Sequence, residues 1–172
     1  MSRLMKQFAL LAALWCMVSC AGYHLGVAKP KPLAHVNTIA VEMFANATLH
    51  PRAEALATSA VANAIVLDGT YRIVRADQAD AVLEGRIASI RYTSIRNTRL
   101  DTLHPEELTN MVTLQWTLRD ARNPTRIITS GSSVGTSQLY VSPDLQTARN
   151  NALPDALERA GNALVSSLSN GY

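Results

Sequence analysis

The sequence predicts an α+β domain: a two-layer sandwich in which two helices pack on one face of a mostly antiparallel sheet of four to five strands. Three observations predict it. Apolar residues recur every three or four positions in two stretches, one early in the domain and one at its end. Between them, three or four segments alternate apolar with polar side chains at a period of two. Little sequence separates those segments, so the chain meanders rather than crossing over.

Taken in order, residues 36–44 read as a buried strand in which Ile39, Val41 and Met43 point one way, broken by Asn46-Ala47-Thr48. From Pro51 to Leu67 the positions Ala53, Leu56, Ala57, Ala60, Val61, Ala64 and Ile65 draw one stripe on a helix. Pro51 suits its first turn and Asp68-Gly69 ends it. Tyr71 to Val74 is a short strand. A long one follows over residues 80–95, where Leu83 and Ile87 share one parity while Ile90 and Tyr92 share the other, so a bulge is expected near Ala88. Met111 to Asp120 alternates most clearly, with Val112, Leu114, Trp116 and Leu118 on the apolar face, where Trp116 belongs to the core. Arg126 to Gln138 returns as a Ser/Thr/Gly-rich strand that suits an edge or a wetted face. The last helix carries its apolar stripe on Leu145, Ala148, Ala152, Ala156, Leu157, Ala160, Leu164 and Leu168. Ser142 is its expected cap and Pro143 its first residue, and Pro154 is expected to kink or break it.

The first 19 residues have the layout of a secretory signal: Arg3 and Lys6, an apolar run from Phe8 to Val18, then Met17-Val18-Ser19-Cys20. The apolar run is shorter than the ~20 residues a spanning helix needs. A small residue directly before a cysteine is the cleavage signature of bacterial lipoproteins, which makes Cys20 the site of lipidation and the covalent lipid the only attached group expected. Cys16 leaves with the signal, so the mature chain has no internal disulfide. The organisation is therefore a removed signal over residues 1–19, a lipidated cysteine and proline-stiffened tether over 20–34, and one periplasmic domain over 35–172. Ala21 after the cysteine, rather than Asp, directs such a protein to the periplasmic face of the outer membrane by the enteric sorting rule.

Once Arg3 and Lys6 are gone, 14 basic side chains face 13 acidic ones, which gives nucleic-acid binding no global electrostatic support. Gly131-Ser132-Ser133-Val134-Gly135 matches the G-x-S-x-G hydrolase elbow, yet no histidine follows His104 to act as base, so no catalytic role is assigned. His24, His35, His50 and His104 stand singly, without metal-ligand spacing, and no metal is expected. Asp77 and Asp80 flank a turn, where aspartate caps loops and starts strands. What remains is a cationic loop between the two long strands, with Arg91, Arg96 and Arg99, either a solvated hairpin end or a site for anions that guanidinium groups bind in bidentate fashion.

Four segments together resemble the LptE family of lipopolysaccharide-assembly lipoproteins. They are Cys20 followed by Gly22-Tyr23-His24-Leu25, the strand Thr38-Ile39-Ala40-Val41 running to Phe44-Ala45-Asn46-Ala47-Thr48, the segment from Ala79 to Gly85, and the closing amphipathic helix. Ala21 is inserted before the Gly-Tyr pair, and Pro154 interrupts a helix that the family pattern leaves unbroken. The resemblance implies a non-enzymatic plug that sits inside the LptD β-barrel, helps it assemble, and contacts lipopolysaccharide. By local order it also implies lipopolysaccharide contacts at Arg96 and Arg149, both expected to be exposed; Arg99 is taken as a neighbour of the first, without support from motif order. An alternative is a periplasmic lipoprotein that regulates a cell-wall synthase or builds a secretion pore, since Phe-x-Asn-x-Thr before a helix occurs there too.

Overall fold

The structure, a computed structural model, describes residues 29–97, 105–140 and 144–171. Strands β1 (Thr38–Val41) and β2 (Ala45–Asn46) precede helix α1 (Ala53–Asp68). Then come β3 (Arg72–Ile73), the three long strands β4 (Ala81–Asn97), β5 (Pro105–Asp120) and β6 (Ile127–Tyr140), and helix α2 (Leu145–Asn170). They form one six-stranded sheet ordered β3-β1-β4-β5-β6, with β2 beside β4. The α+β class and the two-helix layer hold. The sheet is mixed, however: β4, β5 and β6 run antiparallel, whereas β1 is parallel to both β3 and β4, and β2 is parallel to β4. The parallel part follows from α1, which is the crossover a parallel pair requires.

The register of β4 against β5 shifts between Ile87 and Ser89, at the bulge expected near Ala88. The extra residue returns Ile90 and Tyr92 to the side of Leu83 and Ile87, so the inward face carries Leu83, Ile87, Ile90 and Tyr92 in one row. In β1 the expected alternation fails. Thr38, Ile39 and Ala40 are all buried, Met43 is 70% exposed and Phe44 is 1% exposed. The reason is that the strand stops at Val41, and the irregular residues 42–44 before β2 do not keep its alternation.

Helix α1 begins at Ala53, one residue after Arg52, whose left-handed backbone (φ 62) places Pro51 outside the helix. The Asn-x-Thr turn builds this start. Asn46 Oδ1 accepts from the Thr48 amide and hydroxyl at 2.9 and 2.7 Å, while Asn46 Nδ2 donates to the His50 carbonyl at 2.8 Å and to Glu54 at 3.0 Å. Gly69, at φ 73, ends the helix as expected. Helix α2 starts on Asp144, whose carboxylate accepts from the Gln146 amide at 2.9 Å, so the cap lies two residues beyond Ser142; Ser142 and Pro143 lie outside the described residues. The helix continues through Pro154 without a break. Proline withholds a donor from the carbonyl of Asn150, a residue exposed to solvent.

The layers meet through small residues. Gly161 of α2 lies against the backbone of α1, where an added Cβ would stand 3.2 Å from the Ala60 carbonyl oxygen. Gly135 of β6 lies directly beneath Ala156 and Ala160 of α2. Between helices and sheet are Leu83, Ile87, Leu114 and Leu118 from the strands and Leu153, Leu157, Leu164 and Leu168 from α2, all fully buried. Burying a leucine side chain contributes about 1.5–3 kcal/mol, so these eight dominate the core.

Candidate functional site

Two regions of the folded chain leave chemistry unsatisfied by the fold itself. The first is the face of β4, β5 and β6 turned away from the helices. Its cross-strand rows read Arg91–Met111–Thr136, Ser89–Thr113–Val134, Arg86–Gln115–Ser132 and Glu84–Thr117–Ser130. Arg86 donates to Gln115 at 2.8 Å and Arg119 forms an ion pair with Glu84 at 2.9 Å, which ties both arginines to the neighbouring strand. A shallow cleft of about 630 Å³ crosses this face between Met43 and Ser132. Met111, Val134 and Tyr140 punctuate it at 41, 49 and 70% exposure.

The second region is the distal end, where the β4–β5 hairpin projects under the first turns of α2. Tyr92 and Asn110 face each other across β4 and β5, and Ser137 is the partner of Asn110 on β6. The Arg149 guanidinium stacks over the Tyr92 ring with Cζ 4.7 Å from its centroid. Ser137 donates to the Ala152 carbonyl at 2.7 Å. Yet the Tyr92 hydroxyl, both amide atoms of Asn110 and Nε of Arg149 are buried without a hydrogen-bond partner among the described residues. Burial pushes the Tyr92 hydroxyl above the usual phenol range, and the Arg149 charge pulls it back in part. Leu108, Leu139 and Ala152 form a small apolar cluster beside these groups.

The sequence candidates map onto this end unevenly. Arg149 is on α2 but is half-buried, not exposed as expected, because its guanidinium lies over the Tyr92 ring. The backbone of Arg96 belongs to β4, four residues past Tyr92 and so roughly 13 Å farther along the strand, which puts it at the same end. Arg99 and Cys20 lie outside the described residues. Tyr92 and Asn110 were not singled out from the sequence as site residues. Asn110 was the visible signal, being a polar residue at the parity of Val112 and Leu114.

The other motifs resolve into structure. Ser133 of the G-x-S-x-G run lies mid-strand and accepts from Trp116 Nε1 at 3.0 Å. Gly131 leaves room for the same indole, since a Cβ there would stand 2.6 Å from Trp116 Cζ2. Asp77 pairs with Arg75 at 3.4 Å. Asp80 instead accepts from the Asn37 and Thr38 amides and the Thr38 hydroxyl, each at 3.0 Å, and these hold its carboxyl below the usual range. Phe44 covers Gly85, so two segments that are separate in sequence form one contact. No helix among the described residues is long and apolar enough to cross a membrane.

A family model described as LptE, lipopolysaccharide-assembly, matches residues 36–168. No curated protein matches in sequence. Among solved structures, the fold is similar to protein XCC0632 from Xanthomonas campestris, with 16% identity and TM-score 0.55 over 79% of this chain and 85% of that one. It is also similar to a minor lipoprotein from Acinetobacter baumannii, with 9% identity and TM-score 0.54 over 79% and 94%. Rare lipoprotein B from Shewanella oneidensis is similar at 11% identity and TM-score 0.52, over 78% and 96%.

Proposed function

This chain belongs to the LptE family of lipopolysaccharide-assembly proteins, and from that premise we propose that it is a non-enzymatic lipoprotein, anchored by lipid on Cys20 to the periplasmic face of the outer membrane. There it seats in an LptD-like β-barrel and contacts lipopolysaccharide passing through. The observation that carries this reading is the two-sidedness of the sheet. One face is closed by both helices, while the other presents rows of Ser, Thr and Gln that no part of the described chain covers. A polar surface of that composition suits the polar interior of an outer-membrane barrel.

The distal end supports the lipid contact. Arg149 sits on an aromatic ring beside polar groups that lack partners among the described residues, and the backbone of Arg96 lies farther along β4, while Arg99 is outside the described residues. Lipopolysaccharide carries fixed phosphates, to which guanidinium groups donate paired hydrogen bonds. The test is purification of tagged, full-length protein from its own host in mild detergent. Obligate interfaces commonly bury more than ~2,000 Å² and survive such handling. A stoichiometric β-barrel partner is the expected result. Elution without a barrel, or with a penicillin-binding protein in its place, would overturn the reading. Intact mass of the same sample is expected to show a chain beginning at Cys20 with acyl groups attached.

A further inference from the structure

The sheet ends on one side in β3, only two residues long, and on the other in β6, which among the described residues pairs with β5 alone. About half of the backbone N–H and C=O groups of β6 therefore point away from the sheet with no strand among the described residues to receive them. Natural sheets guard a long edge with charged residues, proline or a bulge, since a bare edge is a template for another chain. Over most of its length β6 has none of these. Ile127–Tyr140 contains no charged residue and no proline, and its shift of register against β5 lies opposite Leu118 and Arg119, at its start. From Thr129 to Tyr140 it is a regular edge of roughly 37 Å. Its last residues, Gln138, Leu139 and Tyr140, line a cleft of about 540 Å³ with Ala148, Asn151 and Ala152 of α2.

We propose that β6 pairs with β6 of a second copy of this chain, antiparallel about a two-fold axis at Val134, in the protein that is not seated in a barrel. The sequence of the strand selects a second copy as the occupant. Residues directly opposite each other must share a face, so a two-fold pairing centres on a residue and not between two. Centred on Val134, the strand reads nearly alike in both directions: Ser132 meets Thr136, Gly131 meets Ser137, and Ile128 meets Tyr140. Small polar residues thus oppose small polar ones, and apolar residues fall at the centre and the two ends. The exposed apolar side chains of β6 are placed accordingly, with Val134 against its own copy and Ile127 at the end that adjoins the copy of Tyr140. Thr129 of the copy lies opposite Leu139, so its strand begins at the cleft. Pairing from Ile128 to Tyr140 adds about twelve backbone hydrogen bonds and closes both edges at once. Neither the barrel nor lipopolysaccharide enters this pairing.

The test uses full-length protein purified from membranes of its own host in mild detergent, free of any barrel. Val134→Cys places two thiols across the axis, with Cβ atoms about 4.5–5.5 Å apart. Ser130→Cys, four residues earlier on the same face, leaves them roughly 27 Å apart. Under mild oxidation, with disulfides mapped by mass spectrometry, a 134–134 link between two chains is expected and a 130–130 link is not. Ser132→Lys with Thr136→Lys sets like charges opposite each other in two rows and is expected to weaken association about tenfold. Ser132→Glu with Thr136→Glu is expected to do the same, and an equimolar mixture of the two variants to restore the dimer. Circular dichroism is expected to stay that of wild type, because both positions face away from the core. A single-chain mass for wild type in native mass spectrometry, 130–130 links as abundant as 134–134, or a mixture that stays monomeric would each overturn the proposal. So would a link from position 134 to a different protein.

Discussion

Gly135→Ala isolates the contact on which the two layers are built. The added methyl would fall inside contact distance of the Ala156 carbonyl oxygen and the Ala160 amide, and 3.0 Å from Ala160 Cα, all of them helix backbone that no rotamer change can move. To recover ordinary separations, α2 must lift by roughly 1 Å or more, a gap that forfeits a quarter to a half of each dispersion contact it opens. Leu153, Leu157 and Leu164 lie fully buried on that side of the helix. Overpacking of this kind costs about 1–3 kcal/mol, and replacing a strand glycine returns about 0.5–1 kcal/mol, so a net loss near 1 kcal/mol is expected. Urea unfolding followed by Trp116 fluorescence reads it, since that indole is buried and bonded to Ser133. Gly131→Ala is the comparison, because its methyl meets the edge of the Trp116 ring, a side chain able to shift. A loss below about 0.5 kcal/mol for Gly135→Ala, or one smaller than that of Gly131→Ala, would refute the reasoning.

Three further outcomes are expected. Asp80→Asn should destabilise by about 1 kcal/mol, allowing for partial exposure, because it removes a carboxylate that joins the start of β1 to β4. Backbone donors hold the folded Asp80 carboxyl below its ordinary 3.8, so this contribution is present above about pH 4 and lost as pH falls through the lower folded value; wild type and variant should converge in acid unfolding. Asn110→Leu should raise the melting temperature, since a buried unpartnered amide costs about 1–3 kcal/mol, and a fall instead would mean that water or a ligand satisfies it in solution. Arg96→Asp with Arg149→Asp should weaken lipopolysaccharide binding at fixed salt by about tenfold or more, each charged hydrogen bond contributing roughly 1.5–3 kcal/mol. Arg149→Asp also removes a stacked, half-buried side chain, so melts of each single variant are needed to separate binding from folding, and unchanged titrations would remove the basic-site assignment.

Most elements were legible because their apolar periodicities are clean. The bulge at Ala88 could be read from a parity conflict alone, and the inward face of β5 from Val112 to Leu118. Pairing direction was not legible. Nothing local in Thr38–Val41 encodes a parallel partner, which depends on where α1 returns the chain. The first third of β5, from Pro105 to Asn110, escaped notice because its inward positions mix Leu108 with Asn110, and a polar residue breaks an alternation even when it is wholly buried. For the same reason the distal cluster stayed hidden: charge marks Arg149, but only the fold brings Tyr92 beneath it. The cap at Asp144 shows a smaller limit, since Ser142, Pro143 and Asp144 each carry part of a start signal and only backbone geometry chooses among them.

The distribution of satisfied polar groups gives the molecule two unlike ends. At the end where β1 begins and both helices finish, Asp80 takes two amides and a hydroxyl, Tyr71 donates to Leu168 at 2.8 Å, and Ser169 donates to Asp68 at 2.8 Å. Burial and the Asp68 charge raise the Tyr71 hydroxyl to about 12, so that donor stays in place across any pH the cell envelope meets. Mid-sheet, Trp116 and Ser133 close on each other. At the opposite end, Tyr92, Asn110 and Arg149 carry three of the four side chains whose buried polar atoms lack partners among the described residues, the other being His50. Unpaired buried groups are too costly to gather in one place by chance packing, and a bound water or ligand relieves them most directly. The end farthest from the closed hydrogen-bond network is therefore where binding has the most to gain, and it is the end to which Arg96 and Arg149 belong.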